Sequence, residues 1–396
     1  MKRTISITLL SGLLLLTGST LRAQTPLEEF LRRVAEESVY VGAERAGTDA
    51  RIAETHANNN LENPEVSYEY TPGIQDTEGA KQAYGLSQSF AWPGEYAARA
   101  QVNRLEREQA ETDFRAARQD LLLRAKLLCY DLVYAHKRQE LLAWQQGSTE
   151  KILASVQKQL EQGEATALDV NNARIGFAQA NRAWASGILE IESLKKQLAL
   201  LAGFDNFDPA GFDYENNLHE NLSDILDEAT RLNPELRSAA LESQKSAREV
   251  SVARGGTLPS FSIGVVGERL SPTDNFLGVG AGLSIPLWGG AGKVKAARSQ
   301  QLAAEYRERA VQTDVEANLT ELGNSVLRLS ESLRMYDELK DVQEAKRLLS
   351  ASIEYQQIPL HEYYANLGFY TGIELEYLEL EWQLYRALAE LTKYRL

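Results

Sequence analysis

The sequence has little of what most binding and catalytic sites need. Its 396 residues contain one cysteine and four histidines. A single cysteine, Cys129, excludes a disulfide framework and a thiolate metal cage. The histidines stand singly at positions 56, 136, 219 and 361, in no two-histidine helical spacing and no Ser/His/Asp arrangement. A glycine-rich phosphate loop is also absent, so the sequence predicts no enzyme and no cofactor.

Positive charge is scarce as well. Lys and Arg total 42 against 56 Asp and Glu, a net charge of −14. A nucleic-acid binder needs a basic face that displaces phosphate counterions, so we exclude nucleic acid as a partner. At 43% apolar and 25% charged residues, the composition excludes both a disordered chain and a helical membrane protein.

Apolar runs of membrane-spanning length are missing after the first 23 residues. Within those 23, Lys2 and Arg3 precede an apolar stretch over 5–16, and small residues follow. This pattern predicts a secretory signal peptide cleaved after Ala23, which would change the net charge from −14 to −17. No cysteine follows that could carry a lipid anchor. Any membrane crossing by the rest of the chain would therefore use β-strands.

The remaining sequence repeats one plan. The segment at 64–67 returns at 259–262, the motif around Trp92 returns around Trp288, and Ala-Arg-Ile-Gly-Phe at 173–177 returns as Ala-Asn-Leu-Gly-Phe at 365–369. Three landmarks in one order, 192 to 196 residues apart, indicate a duplication. The predicted division is a signal peptide (1–23), a first repeat (24–203), an acidic linker (204–221) and a second repeat (222–396).

Each repeat predicts a helix, two strands, a very long helix and a further helix, so the fold class is mainly α with a small β part. Apolar residues alternate with small or polar ones in the strands, predicted at about 65–70, 82–90, 260–266 and 277–285. The later helices are predicted at about 94–162, 166–202, 290–356 and 360–394. The long ones place apolar residues about 3.5 positions apart, which is a coiled-coil period. Gly147-Ser148 leaves open whether the first long helix breaks.

The strands carry large apolar residues on one face and small or polar residues on the other. This pattern is typical of strands with lipid on one side and water on the other. A β-sandwich edge has the same alternation, but the rest of the chain is helical and supplies no second sheet. Four strands cannot close a barrel around a passage, so copies from several chains would complete it. The predicted lipid-facing residues are Tyr84, Leu86, Val279, Ala281, Leu283 and Ile285.

Acids and turn formers are concentrated at 203–220. The acids are Asp205, Asp208, Asp213, Glu215 and Glu220, with His219 among them. A calcium or transition-metal site is one interpretation, but the spacing fits no EF-hand loop. We therefore interpret the segment as a solvated linker and predict no metal site.

Two more motifs complete the pattern. Asn233-Pro234-Glu235-Leu236 opens the second repeat, and Gly-Glu-Ala-Thr-Ala-Leu-Asp-Val at 163–170 predicts a tight helical hairpin. In that hairpin Gly163 would take the left-handed conformation, and Thr166 or Asp169 would cap the next helix. With the signal peptide, the duplicated plan and the two strand-to-helix junctions, these motifs resemble the outer membrane efflux protein family, the TolC-type channels. The resemblance covers essentially the whole mature chain.

The resemblance implies a homotrimer in the outer membrane of a Gram-negative bacterium. Each chain would give four strands to a 12-stranded barrel, and the helices would continue as a periplasmic tunnel. Such a channel is the passive exit duct of a tripartite efflux system. It receives substrate from an inner-membrane pump, of the RND type or similar, through a periplasmic adaptor (membrane fusion) protein. The compact length resembles the heavy-metal branch, so metal cations are one candidate substrate and drugs another.

The resemblance also assigns residues. The implied adaptor-binding tip comprises Gly163, Thr166, Leu168 and Asp169, with Leu360 at the second tip. The second tip departs from the family pattern because Pro359 stands where a glycine is usual. Trp92 and Trp288 come where strands leave the bilayer, which predicts the membrane interface; burial in a core is the alternative. The rival functions are a soluble periplasmic coiled-coil adaptor and a metal-binding periplasmic protein.

Overall fold

The structure, a computed structural model, describes residues 26–73, 80–215, 220–270, 274–288, 290–337, 342–354 and 357–396. The predicted signal peptide and His219 lie outside these residues. The described helices are α1 (Pro26–Glu37), α2 (Val39–Ala57), α3 (Pro93–Gln162), α4 (Ala167–Ala202), α5 (Leu222–Leu232), α6 (Pro234–Gly255), α7 (Gly290–Asp337), α8 (Val342–Glu354) and α9 (Leu360–Leu391). The strands are β1 (Glu65–Thr71), β2 (Lys81–Phe90), β3 (Ser260–Arg269) and β4 (Asn275–Ser284). The predicted fold class, mainly α with a small β part, is confirmed.

The strands form one antiparallel sheet in the order β1-β2-β3-β4. The hairpin β1-β2 comes from the first repeat, the hairpin β3-β4 from the second, and β2 pairs with β3 between them. In this register Leu86 pairs with Val66 and Val265, and Val265 pairs with Val279. Directly opposed residues point to the same face of an antiparallel sheet. The register therefore collects most of the large apolar residues of the four strands on one face; Val266 and Phe276 lie on the other.

Helix α3 runs without interruption for 70 residues, about 105 Å at 1.5 Å per residue. It contains no proline beyond Pro93 at its first position, where the missing N–H is not needed. The helix continues through Gly147-Ser148. There the buried Thr149 hydroxyl donates to the carbonyl oxygen of Gln146 at 2.9 Å, and Ile152 is buried one turn further on. The burial of Thr149 and Ile152 keeps the helical backbone continuous past Gly147.

Three hydrophobic clusters lie along the helices. The waist cluster surrounds the middle of α3 and includes Leu27, Phe30, Val34, Cys129, Leu132, Leu198 and Leu201. A second cluster joins α5, α7 and α9 through Ile225, Val315, Leu319, Val326, Leu384 and Leu391. The tip cluster joins α3, α4, α8 and α9 through Ile152, Val156, Val170, Ala173, Leu349, Tyr363 and Leu367. Because the waist cluster and the tip cluster each contain residues of both repeats, the two halves pack together at these two levels.

The interpretation of 203–220 as a solvated linker is wrong for its described part. Phe212 and Tyr214 are buried in the waist cluster, and Phe204 and Phe207 pack against it. The ring of Phe30 lies 5.0 to 5.5 Å from the rings of Phe204, Phe207 and Phe212. The aromatic residues between the acids bury this segment against α1 and α3, while most of the acids remain outside.

Candidate functional site

One face of the sheet is apolar and exposed. By register it carries Tyr84 and Leu86 of β2 and Val279, Ala281 and Leu283 of β4. Val279, in the middle of its strand, is 90% exposed. These are five of the six residues predicted to face lipid; the sixth, Ile285, follows the end of β4 and is also exposed. A contiguous exposed apolar face of this kind marks a binding surface for lipid or protein.

Around its middle, the opposite face is made mostly of serine and glycine. Ser87 pairs with Gly264, and Gly264 pairs with Gly280. A Cβ on Gly264 would come within 2.7 Å of the Leu86 carbonyl oxygen, so only glycine fits this close approach. Such a face offers water backbone and hydroxyl groups and very little apolar surface. The two faces differ as the alternation predicts.

Both edges of the sheet lack a neighbouring strand within the described chain. Strand β1 pairs with β2 alone and β4 with β3 alone. The outer edges of these strands therefore present unpaired N–H and C=O groups. Such an edge is a template for another strand. Because β1 and β4 are antiparallel to their inner neighbours, further copies can be added on either side in the same pattern.

The two predicted interface tryptophans stand at the end of the sheet where the helices begin. Trp92 precedes α3 and is 39% exposed, with its ring 5.7 Å from that of Phe261. Trp288, between β4 and α7, is 88% exposed. Neither lies in one of the buried clusters. Their position relative to a bilayer remains a prediction.

The turn between α3 and α4 lies at the C-terminal end of α3. At 1.5 Å per residue it is about 105 Å from the start of that helix, which is next to the sheet. Gly163 has φ +79°, and the N–H of Glu164 donates to the Gln159 carbonyl oxygen at 2.8 Å. Thr166 and Asp169 form a capping box, in which the Asp169 N–H donates to the Thr166 hydroxyl and the Thr166 N–H donates to the Asp169 carboxylate. The Thr166 hydroxyl also donates to this carboxylate and lowers the pKa of Asp169.

The turn between α8 and α9 lies against the first one. Pro359 is the N-cap residue of α9 and has an extended conformation. Ile358 and Leu360 pack on the tip cluster. Asp169 and Leu360, two of the predicted adaptor-binding residues, line a common cleft of about 310 Å³ with Ile152 and Glu164 among others. Leu168 is 67% exposed and stands clear of the cleft.

Solved structures share this arrangement over nearly the whole chain. The CmeC outer membrane channel of Campylobacter jejuni has a TM-score of 0.76 and 16% identity, over 93% of this chain and 85% of that one. A membrane protein from Pseudomonas aeruginosa has a TM-score of 0.75 and 15% identity, over 94% and 93%. The open-state MtrE channel of Neisseria gonorrhoeae has a TM-score of 0.71 and 13% identity, over 93% and 88%. At these identities the likeness establishes the fold.

The sequence itself matches a family model. Residues 225–354 match the model of the outer membrane efflux protein family. The match covers about a third of the chain, and over these residues the chain is similar to that family. The resemblance drawn from its motifs is thereby confirmed. A search of curated proteins gave no match.

Outer membrane efflux proteins are channels and not enzymes, and they reside in the outer membrane. In the described part of this chain, no helix has the length and hydropathy that crossing a membrane needs. Nor do the described residues place three or more His, Cys, Asp or Glu side chains where they could hold a metal ion.

The waist cluster holds a buried ion pair that the sequence motifs did not predict. Lys126 is 3% exposed, and its Nζ lies 2.7 Å from Glu215 Oε2. Tyr130 lies beside the pair, and burial raises the pKa of its hydroxyl, with the Glu215 charge adding to the effect. The available signal was Lys126 itself, a lysine inside the mostly apolar stretch at 121–135, where Arg124 and Asp131 are the other charged residues. A carboxylate from the 203–220 segment was the partner to look for.

A second buried lysine lies closer to the tip. Lys346 Nζ lies 2.7 Å from Glu374 Oε2 and 4.1 Å from the centre of the Trp144 ring. The contact joins α8 to α9 and to α3. Lys346 stands in the seven-residue pattern of the coiled coil, where an apolar residue is usual. A charged residue at such a position favours one register of the helices over others.

Proposed function

We propose that this protein is the outer-membrane exit duct of a tripartite efflux system. The observation that carries the proposal is a sheet with an exposed apolar face and two open edges, attached to a helix bundle in which α3 is about 105 Å long. An apolar sheet face belongs in lipid, and helices of this length reach far beyond a bilayer of about 40–45 Å. The duct has no energy source of its own, so it conducts what a pump delivers.

Three copies would complete the channel. Edge β4 of one copy would pair with edge β1 of the next, which removes every open edge once the ring closes. Three sheets of four strands make a 12-stranded barrel with the serine and glycine face inside. Efflux channels of this family are trimers that work with adaptor proteins and inner-membrane pumps. We propose an RND-type or similar pump for this one.

The two-repeat division (24–203 and 222–396) is part of the proposal. The hairpins β1-β2 and β3-β4 would be equivalent units, as would the turns α3-α4 and α8-α9. The pairing of β2 with β3 and the joint tip cluster support this assignment, because equivalent elements lie side by side. Segment 204–221 would then tie the repeats together at the waist.

The paired turns are the proposed docking site for the adaptor. The residues concerned are Gly163, Thr166, Leu168, Asp169 and Leu360. Their support is geometric: the turns lie together at the end of the helices farthest from the sheet, and Leu168 is exposed there. As substrates we propose cations, metal ions among them, because a channel whose chains have the predicted mature net charge of −17 would concentrate cations and slow anions.

Membrane fractionation tests the proposal. The expected result is a trimer in the outer-membrane fraction that dissociates only on heating. A soluble monomer would overturn the proposal and favour the periplasmic adaptor. Stoichiometric metal uptake by a soluble product would favour the metal-binding protein. The exposed apolar face weighs against both alternatives, since either would leave it in water.

Replacing Gly163 with valine tests the tip. A β-branched residue at φ +79° is strained by about 1–2 kcal/mol, although its Cβ would meet no atom within 4 Å. We therefore expect the turn to change shape while the trimer still assembles. Efflux-dependent resistance and cross-linking to the adaptor should both fall, with trimer yield unchanged.

Gly163→Asn is the matched control, because asparagine tolerates the left-handed conformation. It should retain both resistance and cross-linking. If Gly163→Val also retains both, the turn only connects two helices and the docking assignment is wrong.

A further inference from the structure

We propose that Lys293, Lys295 and Arg254, beside the exposed Leu287 and Trp288, bind the phosphate groups of anionic phospholipids at the boundary between the sheet and the helices. The proposal rests on the proposed function, because it requires the sheet to lie in a membrane. The ligand would bind at the end of the sheet from which the helices start. The partner is the lipid surface itself.

These residues lie at the end of the sheet where the start of α3, the end of α6 and the start of α7 come together. A Cβ on Gly255, the last residue of α6, would lie 2.8 Å from the Cβ of Glu95 in the first turn of α3. A Cβ on Gly290, the first residue of α7, would lie 2.9 Å from Thr257 Cγ2 in the link from α6 to β3. The start of α7 is therefore held against the base of the sheet, at the edge formed by β4.

The chain between β4 and α7 presents apolar side chains to the outside. Ile285, Leu287 and Trp288 are all exposed, Trp288 more than any other of these. They continue the apolar face of β4 toward the helices. An indole has an apolar ring and a polar N–H, which suits the headgroup layer of a membrane. The position of these residues predicts contact with that layer.

Three exposed basic side chains lie next to these apolar residues. Lys293 and Lys295 lie on α7, about 5 and 8 Å along the helix from Gly290, and Arg254 lies in the last turn of α6. Among the described residues none of the three has a carboxylate partner. The first turn of α7 contains no acidic residue either. Since a helix start disfavours nearby cations, an external anion would stabilise both lysines.

Carboxylates are present at the same end of the sheet, but on its other edge. Glu62 and Glu65 stand at the start of β1. In a closed ring, Glu62 and Glu65 of a second copy would come near β4, so they compete with phosphate for the lysines. The exposed Leu287 and Trp288 favour lipid, because carboxylates would leave these apolar side chains uncovered. The first repeat differs, since there Arg99 is paired with the buried Glu95.

The test measures lipid preference. Full-length trimer is reconstituted into vesicles of phosphatidylcholine mixed with phosphatidylglycerol, extracted in mild detergent, and its retained lipids are counted by native mass spectrometry. Wild type should be enriched in phosphatidylglycerol, and salt should reduce the enrichment. Removing charge with Lys293→Gln and Lys295→Gln should lower it about fivefold per lysine. The salt effect on wild type tests the proposal even if the double variant fails to fold.

Two control variants define the site. Lys293→Arg with Lys295→Arg keeps the charge and should retain the enrichment. Lys151→Gln with Lys196→Gln removes the same charge from exposed positions on α3 and α4, away from the sheet, and should also retain it. The contribution of Trp288 to the tryptophan fluorescence is the difference between wild type and Trp288→Phe. Lipid with a quencher on its headgroup should reduce this contribution.

Other outcomes overturn the proposal. A trimer that inserts normally but shows no salt-sensitive enrichment, or enrichment unchanged by Lys293→Gln with Lys295→Gln, overturns it and leaves the proposed function intact. A different result would point to contact between copies. If Glu62→Gln with Glu65→Gln lowers trimer yield, the lysine variants lower it equally, and neither pair changes the phosphatidylglycerol enrichment, then the lysines bind a second copy and not lipid. If the wild type forms no membrane trimer at all, the proposed function itself fails.

Discussion

Replacing Val279 with arginine will sharply reduce the yield of membrane-inserted trimer. Val279 lies in the middle of β4, on the apolar face, and is 90% exposed in the single chain. In the proposed assembly this side chain contacts lipid near the bilayer midplane. An arginine there destabilises a β-barrel by about 2–4 kcal/mol. The measurement is the fraction of protein recovered as heat-dissociable trimer from outer membranes.

The adjacent residue on the strand provides the control. Gly278 points to the opposite face, and a Cβ there would meet no atom within 4 Å. Arginine at Gly278 would therefore extend into the aqueous interior and should leave trimer yield close to that of wild type. Equal yields from Val279→Arg and Gly278→Arg would show that the apolar face does not contact lipid.

Replacing Glu215 with alanine will destabilise the waist. The side chain of Lys126 is 4% exposed, and Glu215 Oε2 lies 2.7 Å from its ammonium group. Without that carboxylate a positive charge stays buried among the apolar residues of the waist cluster. Breaking a buried pair in this way lowers the free energy of unfolding by about 3–5 kcal/mol. Urea titration of the detergent-solubilised protein, followed by circular dichroism at fixed protein concentration, measures the loss.

Two variants test whether the buried charge is the cause. Glu111 pairs with Arg45 at 3.1 Å on the surface, where both side chains are well exposed. Glu111→Ala should change the free energy of unfolding by less than about 1 kcal/mol. Lys126→Met combined with Glu215→Gln removes both charges and should recover most of the stability lost in Glu215→Ala. A double variant as unstable as Glu215→Ala would mean that packing, and not charge, sets the effect.

The sheet faces and the first tip turn were accessible from the sequence because they depend on local rules. Side chains alternate along a strand, so identifying β4 already separates Val279 from Gly278. A glycine between two helical segments, followed by Thr166 and Asp169, likewise predicts the hairpin that the structure contains, with Gly163 in the left-handed conformation. Each prediction needed only neighbours within a few positions.

Features that depend on distant residues were beyond such rules. The acids at 203–220 predicted a solvated segment, yet Phe212 and Tyr214 bury it against helices from elsewhere in the chain. Whether α3 would break at Gly147 was likewise undecided, because a glycine in a helix is tolerated when packing on either side holds the backbone.

The period of the apolar residues was sufficient to identify long helices and four two-faced strands, and recurring motifs identified the duplicated plan. That period records which face of each element avoids water, and every element carries it in its own residues. It does not record which elements meet. The β2-β3 pairing, the contact between the two tip turns and the Lys126–Glu215 pair each join residues more than 80 positions apart. Such contacts exist only once the chain has folded, because burial and pairing are properties of the surroundings that distant segments create.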